Sequence, residues 1–171
     1  RIAEFYGISY IGKMYGMIGN FEKGLEKVLE GRKMAEATGN NKVLAISNVF
    51  AGHIYKYLGD YPKAIRFYTA TGEAGEKAKY QEAITWSFQN LAECYEALNQ
   101  IDSAMMYAQK DYELCQRIKY FDFISYTFIN LGSINGKMGN NAIAIGYFDM
   151  AIAACFKTKS LRQLNWALTS K

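Results

Sequence analysis

The chain has 171 residues, half of them apolar and 21% of them charged, which excludes a disordered segment. Its 20 basic and 16 acidic residues give a net charge of +4 and are scattered along the sequence, which argues against a nucleic-acid partner. No apolar run reaches the roughly 20 residues of a membrane-spanning helix, so we expect no direct membrane insertion. The length predicts one domain of ordinary size.

One pattern returns every forty residues along the chain. A small residue, an aromatic or polar residue, a turn residue and a second small residue follow one another in the stretch "AGHIYKYLGDYPKAIRFY", residues 51–68. The same order recurs in "IGKMYGMIGNFEKGLEKV", "LAECYEALNQIDSAMMYA" and "LGSINGKMGNNAIAIGYF". Four copies at one period, without an insertion, indicate a helical-repeat architecture.

Each copy predicts two antiparallel helices joined by a tight turn. Apolar residues recur at helical spacing on both sides of Gly59, which ends the first helix by taking a left-handed or tight conformation. Asp60 follows as an N-cap, and Pro62 lies in the first turn of the second helix. Gly52 lies where the two helices cross, with Tyr68 filling the space beside that contact.

In chain order, the first helices of the repeats are predicted near 4–18, 44–58, 84–98 and 124–138, and the second helices near 21–37, 61–78, 101–118 and 141–157. The repeats themselves are predicted at about 4–40, 44–80, 84–120 and 124–159. Residues 160–171 predict the first helix of a truncated fifth repeat, in which Trp166 continues an aromatic column with Tyr6, Trp86 and Tyr126. We therefore expect residues 1–171 to form one repeat domain and to be a piece of a longer protein.

This pattern resembles the tetratricopeptide repeat (TPR), which has a small residue, Tyr, Gly, Tyr, Ala and an aromatic at these intervals. The resemblance covers essentially the whole chain and implies an all-α fold, a right-handed α-solenoid of antiparallel helix pairs (a TPR-like superhelix) with about four repeats plus one extra C-terminal helix. TPR units usually have about 34 residues. We expect the additional residues to lengthen the second helix and the connection between repeats. The forty-residue variant looks most like TPR regions of bacterial sensor and regulatory proteins associated with histidine kinases.

The resemblance also implies a concave groove, lined by the first helices, that binds a protein or peptide segment. The candidate groove residues are Lys13, His53, Lys56, Gln89, Asn90, Glu93, Asn130 and Ser133. In related arrays an asparagine holds the backbone of an extended peptide, and Asn90 and Asn130 occupy that column one repeat apart. The alternative is that both asparagines only satisfy neighbouring helix groups. Glu93 and Glu96 would repel a ligand's C-terminal carboxylate, so a mixed or basic peptide is at least as compatible.

Little in the sequence predicts catalysis, and we expect no enzymatic activity and no cofactor. His53 is the only histidine, and a histidine lining the groove on a helix surface is the simplest interpretation. One histidine without clustered cysteines makes a zinc site improbable, so we expect no metal. The cysteines are predicted to be small buried thiols, and unpaired cysteines slightly favour a reducing, cytoplasmic interior. They are Cys94, Cys115 and Cys155.

Two functions stay open after this step. The first is a non-catalytic binding scaffold, the sensory or interaction region of a larger protein such as one in two-component signalling. The second is a structural spacer or dimerisation arm without a groove ligand. A homodimer would form through exposed faces of the terminal repeats.

Overall fold

A computed structural model describes residues 2–119, 123–158, 165 and 167–169 of the chain. Within those residues the chain forms eight α-helices and no strand, which confirms the predicted all-α fold. The helices are α1 (Ile2–Met17), α2 (Phe21–Thr38), α3 (Asn41–Tyr57), α4 (Tyr61–Ala78), α5 (Gln81–Ala97), α6 (Ile101–Ile118), α7 (Ile124–Lys137) and α8 (Asn141–Thr158). The predicted fifth repeat, including Trp166, lies largely outside the described residues.

The turn within each helix pair depends on one residue in the left-handed conformation. Gly59 has a φ of 75°. Its N–H donates to the carbonyl of Lys56 at 3.0 Å, and the N–H of Asp60 donates to the carbonyl of Tyr55 at 2.9 Å. This pair of hydrogen bonds is the Schellman end of a helix. Asp60 then caps α4, because its Oδ1 accepts the N–H of Lys63 at 3.1 Å. The corresponding left-handed residues are Gly19, Asn99 and Gly139.

Two of the connections between successive helix pairs are shorter than the sequence predicted, whereas α6 ends at Ile118 and α7 begins at Ile124, as predicted. Only residues 39–40 separate α2 from α3, and only residues 79–80 separate α4 from α5. The extra residues of the forty-residue repeat therefore lie in the helices, and α3 and α5 begin at residues 41 and 81 instead of 44 and 84. The cause at α3 is a cap, because Oδ1 of Asn40 accepts the N–H of Val43 at 3.1 Å directly after the left-handed Gly39.

The small residues of the repeat sit where the helices of a pair approach each other. A Cβ added to Gly52 would lie 2.6 Å from Cε1 of Tyr68, closer than real side chains allow. A Cβ added to Gly12 would lie 2.7 Å from the carbonyl oxygen of Gly24 on the paired helix. Glycine at these positions is therefore required by close helix packing, as the sequence predicted.

The chain divides into two compact units, Arg1–Cys94 (unit 1) and Tyr95–Lys171 (unit 2). In unit 1, α1 packs on α2 and α3, α2 packs on α3, and α3 packs on α4; in unit 2, α7 packs on α6 and α8. One buried cluster of unit 1 joins Phe5, Ala35 and Val43, which come from α1, α2 and α3. Because such a cluster draws on three consecutive helices, one helix pair buries its apolar side against the next. Tyr6, which belongs to the aromatic column, packs against the same cluster.

Candidate functional site

Four polar side chains meet on the first helices α3 and α5 of unit 1. Nζ of Lys56 donates to Oδ1 of Asn90 at 3.0 Å and to Oε2 of Glu93 at 2.6 Å. The side-chain amide of Asn90 donates to the carbonyl of Trp86 at 2.8 Å, and His53 is hydrogen-bonded to Asn90. We refer to His53, Lys56, Asn90 and Glu93 as the polar cluster. It joins two neighbouring repeats on the helices that were predicted to line the groove.

Lys13 and two aromatic rings extend this surface onto α1. Nζ of Lys13 lies 5.1 Å from the ring centroid of Phe50 and 5.8 Å from that of Tyr10. The two rings pack edge to face at 5.1 Å, and the ring of Phe50 lies 6.5 Å from the imidazole of His53. Cation–π attraction of this kind holds an ammonium group over an aromatic surface. In unit 1, α1, α3 and α5 thus present a row of polar and aromatic side chains from Lys13 to Glu93, which we call the first-helix row.

Burial strongly affects which side chains in the first-helix row are charged. Burial is the main cause that lowers the pKa of His53 to about 3, and the charges of Lys56 and Lys13 act in the same direction against the hydrogen bond to Asn90. The imidazole is therefore neutral at pH 7. Burial also disfavours the charge on Lys56, but the attraction of Glu93 outweighs it and raises the pKa of Lys56. Because Lys56 offsets the charge of Glu93, the predicted repulsion of a ligand carboxylate is weakened in unit 1.

Tyr68 of α4 lies directly behind the polar cluster. Its ring is fully buried and packs edge to face against His53, with the ring centroids 5.7 Å apart. Its hydroxyl is buried and has no hydrogen-bond partner among the residues that the structure describes. Burial raises the pKa of Tyr68 well above its ordinary value. The repeat pattern identified Tyr68 as a packing residue, but it carried no sign that a buried hydroxyl would lie beside the candidate site.

The predicted amide residues are less accessible than the lysines. Gln89 is 6% exposed, Asn90 9% and Asn130 2%. Both ends of the Asn90 amide are engaged within the chain, by Lys56 and by the carbonyl of Trp86. A ligand that pairs with Asn90 must therefore compete with Lys56 for Oδ1 or use the remaining amide hydrogen. The role of Asn90 and Asn130 in ligand binding stays a prediction.

Unit 2 carries its own polar contacts between first helices. Oγ of Ser133 on α7 donates to Oε1 of Glu96 at 2.6 Å, and Nζ of Lys137 lies 3.3 Å from the same oxygen. Lys137 also donates to the carbonyl of Glu96 at 2.9 Å. Ser133 is thus held by Glu96, which was predicted to face the groove. The structure brings five of the predicted residues together in unit 1, whereas Asn130 and Ser133 belong to unit 2.

A cavity on the second-helix side of unit 1 was not predicted. It measures about 410 Å³ and is lined by Arg32, Tyr55, Lys63, Arg66, Phe67 and Ala70. Three of these residues follow one another at helical spacing in "KAIRF", which places Lys63, Arg66 and Phe67 on one face of α4. That spacing was the sequence signal for a cationic and aromatic surface.

The described residues offer little for covalent or metal chemistry. They contain no group of three or more His, Cys, Asp or Glu side chains arranged to hold a metal ion. The three cysteines are free and buried, as predicted, and burial raises the pKa of Cys94 and of Cys115 to about 12. These two thiols are therefore protonated and unreactive at neutral pH. Each described helix is also too short or too polar to pass through a bilayer.

No protein-family model matches the chain, and no curated protein matches it. Solved structures do match. The chain is similar to aspartyl phosphate phosphatase F from Bacillus subtilis, with a TM-score of 0.88 and 14% identity over 100% of this chain and 45% of that chain. It is similar to the apo form of RapI, with a TM-score of 0.80 and 16% identity over 97% of this chain and 45% of that chain. It is also similar to BtubC (BKLC) from P. vanneervenii, with a TM-score of 0.76 and 19% identity over 90% of this chain and 63% of that chain.

The chain spans less than two thirds of the length of each of these structures. At identities of 14% to 19%, the likeness establishes the fold alone. The aspartyl phosphate phosphatase and RapI are TPR-like helical-repeat proteins, and the fold of this chain is a TPR-like helical repeat.

Proposed function

We propose that this chain is a non-catalytic scaffold that binds a protein or peptide segment along the first helices of its repeats. The observation that carries the proposal is the first-helix row of unit 1, in which Lys13, the polar cluster and the rings of Tyr10 and Phe50 lie side by side. Rings of this kind pack against ligand side chains, and charged and amide groups pair with peptide carbonyl and N–H groups. A helical-repeat fold, which the chain shares with these neighbours, provides extended surfaces of the kind that bind protein or peptide segments.

The charge of the row favours a mixed peptide with an acidic group at one end. Lys56 and Glu93 offset each other, whereas Lys13 has no acidic partner among the described residues and lies over aromatic rings. An acidic side chain or terminus of the ligand would pair with Lys13, and apolar side chains would pack on Phe50. His53 stays neutral, so it offers a hydrogen bond without adding repulsion for a basic side chain.

Peptide selection followed by substitution tests the proposal. Peptides chosen from a random displayed library are titrated against the wild-type chain, Lys13→Gln, the double variant Asn90→Ala/Asn130→Ala, and a control variant, Gln109→Ala, on the exposed side of α6. We expect the first two variants to weaken binding about tenfold and the control to leave it unchanged, with helicity intact by circular dichroism. If affinity is unchanged in the double variant, the asparagine contacts are wrong. If peptide binding slows amide hydrogen exchange only in α2, α4, α6 and α8, the proposed binding surface on the first helices is wrong.

We also propose that the chain itself has no catalytic activity. One structural neighbour is titled an aspartyl phosphate phosphatase, but 14% identity carries the fold and not the activity. Acetyl phosphate contains the same acyl phosphate bond and is a simple probe. We expect the chain to release no inorganic phosphate from it above the rate in buffer. Release that scales with protein concentration would contradict a purely binding role.

The finer assignment is a sensory or interaction region within a larger bacterial signalling protein, as the resemblance of the repeats to histidine-kinase-associated TPR regions suggests. The complete open reading frame tests this part. A kinase, receiver or DNA-binding domain on the same polypeptide would support it, and a parent without any signalling domain would contradict it.

A structural spacer or dimerisation arm is the second candidate, and one observation favours it. Apolar side chains on α1 and in the turn after it are 48% to 74% exposed. They are Tyr10, Ile11, Met14, Met17 and Ile18. Self-association through these residues would make the mass from light scattering rise with concentration, and Ile11→Lys would abolish the rise. A constant monomer mass across the series would remove the dimerisation arm.

A further inference from the structure

A half-open cavity between three helices of unit 1 is built from cationic and aromatic side chains. It measures about 410 Å³, within the size range of small-molecule sites. Arg32 of α2, Tyr55 of α3, and Lys63, Arg66, Phe67 and Ala70 of α4 line it. Three of these residues are cations and none is acidic, so the cavity wall is suited to an anion and unsuited to a cation.

The aromatic pair in the wall holds two of the cations in place. The rings of Tyr55 and Phe67 stack with an interplanar angle of 14° and a centroid distance of 5.4 Å. Nζ of Lys63 lies 5.2 Å from the centroid of Tyr55, and the guanidinium carbon of Arg32 lies 5.9 Å from that of Phe67. Each ring therefore carries one cation, which limits the freedom of long side chains that would otherwise lose entropy on binding a ligand.

One positive charge of the cavity remains uncompensated. Arg32 pairs with Glu36 at 2.8 Å, and Lys63 pairs with Asp60 at 2.7 Å. Arg66 is exposed and has no acidic partner among the residues described. It lies three residues after Lys63 on α4, one helical turn away, so both side chains can reach the same anion. The lining residues and their two acidic partners therefore carry a net positive charge, which is the charge of Arg66.

We propose that this cavity binds a small organic anion in which a phosphate or carboxylate is attached to a flat ring. The oxyanion pairs with the guanidinium of Arg66, whose fork of N–H donors matches two anionic oxygens, and with the ammonium of Lys63. The flat ring packs beside Phe67 and the methyl group of Ala70, which form the apolar part of the lining. This site is independent of the first-helix row, because it is formed by other residues with other chemistry.

Titrations followed by ¹H–¹⁵N NMR spectra test the proposal with four probes. Phenyl phosphate and benzoate carry a ring and an oxyanion, phenol carries only the ring, and inorganic phosphate carries only the anion. We expect phenyl phosphate or benzoate to shift the amide signals of the lining residues and to bind at least about tenfold more tightly than phenol or inorganic phosphate. The tighter of the two ring anions identifies the oxyanion as phosphate or carboxylate.

Matched variants separate a specific site from general attraction to a basic protein. Arg66→Gln should weaken binding of the ring anion at least about tenfold, and Phe67→Leu should also weaken it. Arg117→Gln removes the same charge from the exposed surface of α6 and should leave affinity unchanged. Equal losses in Arg66→Gln and Arg117→Gln, equal affinity for phenol and phenyl phosphate, or shifts confined to residues outside the cavity would each overturn the proposal. Circular dichroism confirms that each variant is folded.

Discussion

His53 offers the most direct test of the geometry around the first-helix row. It is the only histidine of the chain, so its imidazole can be followed alone by NMR. Burial, with the charges of Lys56 and Lys13, lowers its pKa in the folded chain to about 3, against about 6.5 for an unperturbed histidine. Between these two values the unfolded chain binds a proton that the folded chain does not. The free energy of unfolding therefore falls as the pH falls through this window.

The magnitude follows from the two pKa values. Linkage at about 1.36 kcal/mol per pH unit gives a loss of up to about 2 kcal/mol between pH 7 and pH 5. The side chain of His53 is half-buried, so this value is an upper limit. Urea unfolding at both pH values measures the loss, and a His53→Gln variant subtracts the contribution of every other titrating group. We expect the wild-type chain to lose more stability than the variant by an amount approaching this limit.

The NMR titration gives the decisive outcome. We expect the imidazole signal of the folded chain to show no midpoint above pH 5, because protonation would place a charge beside two ammonium groups in a half-buried site. Lys13→Gln should raise the pKa of His53 by removing one of those charges. A midpoint near pH 6.5, or equal pH slopes for the wild-type chain and His53→Gln, would refute the packing described around His53.

Three other predictions concern packing, charge and thiols. Gly52→Ala should lower the free energy of unfolding by about 1–3 kcal/mol because the new Cβ would lie 2.6 Å from Cε1 of Tyr68. Gly7→Ala should raise the free energy of unfolding by up to about 1 kcal/mol, because a Cβ at this position meets nothing within 4 Å. Urea unfolding measures both variants, and a change of the same sign in both would contradict the close helix contact at Gly52. Lys56→Met should cost about 1–3 kcal/mol by leaving Glu93 without its cation, and adding Glu93→Met should recover most of it. A coupling near zero in the double-mutant cycle would contradict this. The three cysteines should react with a thiol reagent only after unfolding, since all are free and buried, and prompt labelling at pH 8 would be the contrary result.

The fold could be predicted because its repeat contains residue types that have definite conformational roles. Gly19, Gly59 and Gly139 adopt the left-handed conformation at the turn within a helix pair, and Asn99 takes the same conformation in the third repeat. Each of these residue types tolerates a positive φ. The connections between pairs were less predictable, because the corresponding left-handed residue is a lysine in two of them, Lys79 and Lys119, and lysine gives no sequence indication of that conformation.

The residues that form the candidate site could be predicted more fully than their charge states. The forty-residue columns selected Lys13, His53, Lys56, Asn90 and Glu93, and the structure places all of them in the first-helix row. The low pKa of His53 was not predictable, since it depends on burial and on the distances to Lys56 on the same helix and to Lys13 on the preceding repeat. The cavity lined by cationic and aromatic side chains was missed because its residues come from α2, α3 and α4, and no single column of the repeat contains them.

A correct alignment of the repeats identifies equivalent residues, but it does not identify which side chains contact each other. The number of residues between contacting side chains shows why. Residues forty apart are equivalent in sequence, yet three contacts in the first-helix row join residues thirty-seven apart: Lys13 with Phe50, His53 with Asn90, and Lys56 with Glu93. A fourth, between Lys56 and Asn90, joins residues thirty-four apart. In unit 2, Glu96 and Ser133 are also thirty-seven apart.

The difference between the two intervals is three residues, close to one turn of an α-helix, so neighbouring first helices contact each other one turn out of register. Each contact therefore combines residues from two different columns. For this reason Asn90 meets the imidazole of His53, although its own column aligns it with Phe50. A ligand lying across α3 and α5 at one level would meet His53 together with Asn90, or Lys56 together with Glu93. For the peptide ligand that we propose, selectivity would therefore depend on pairs of columns displaced by one turn. Substituting two residues of one column would then probe two levels of the row at once.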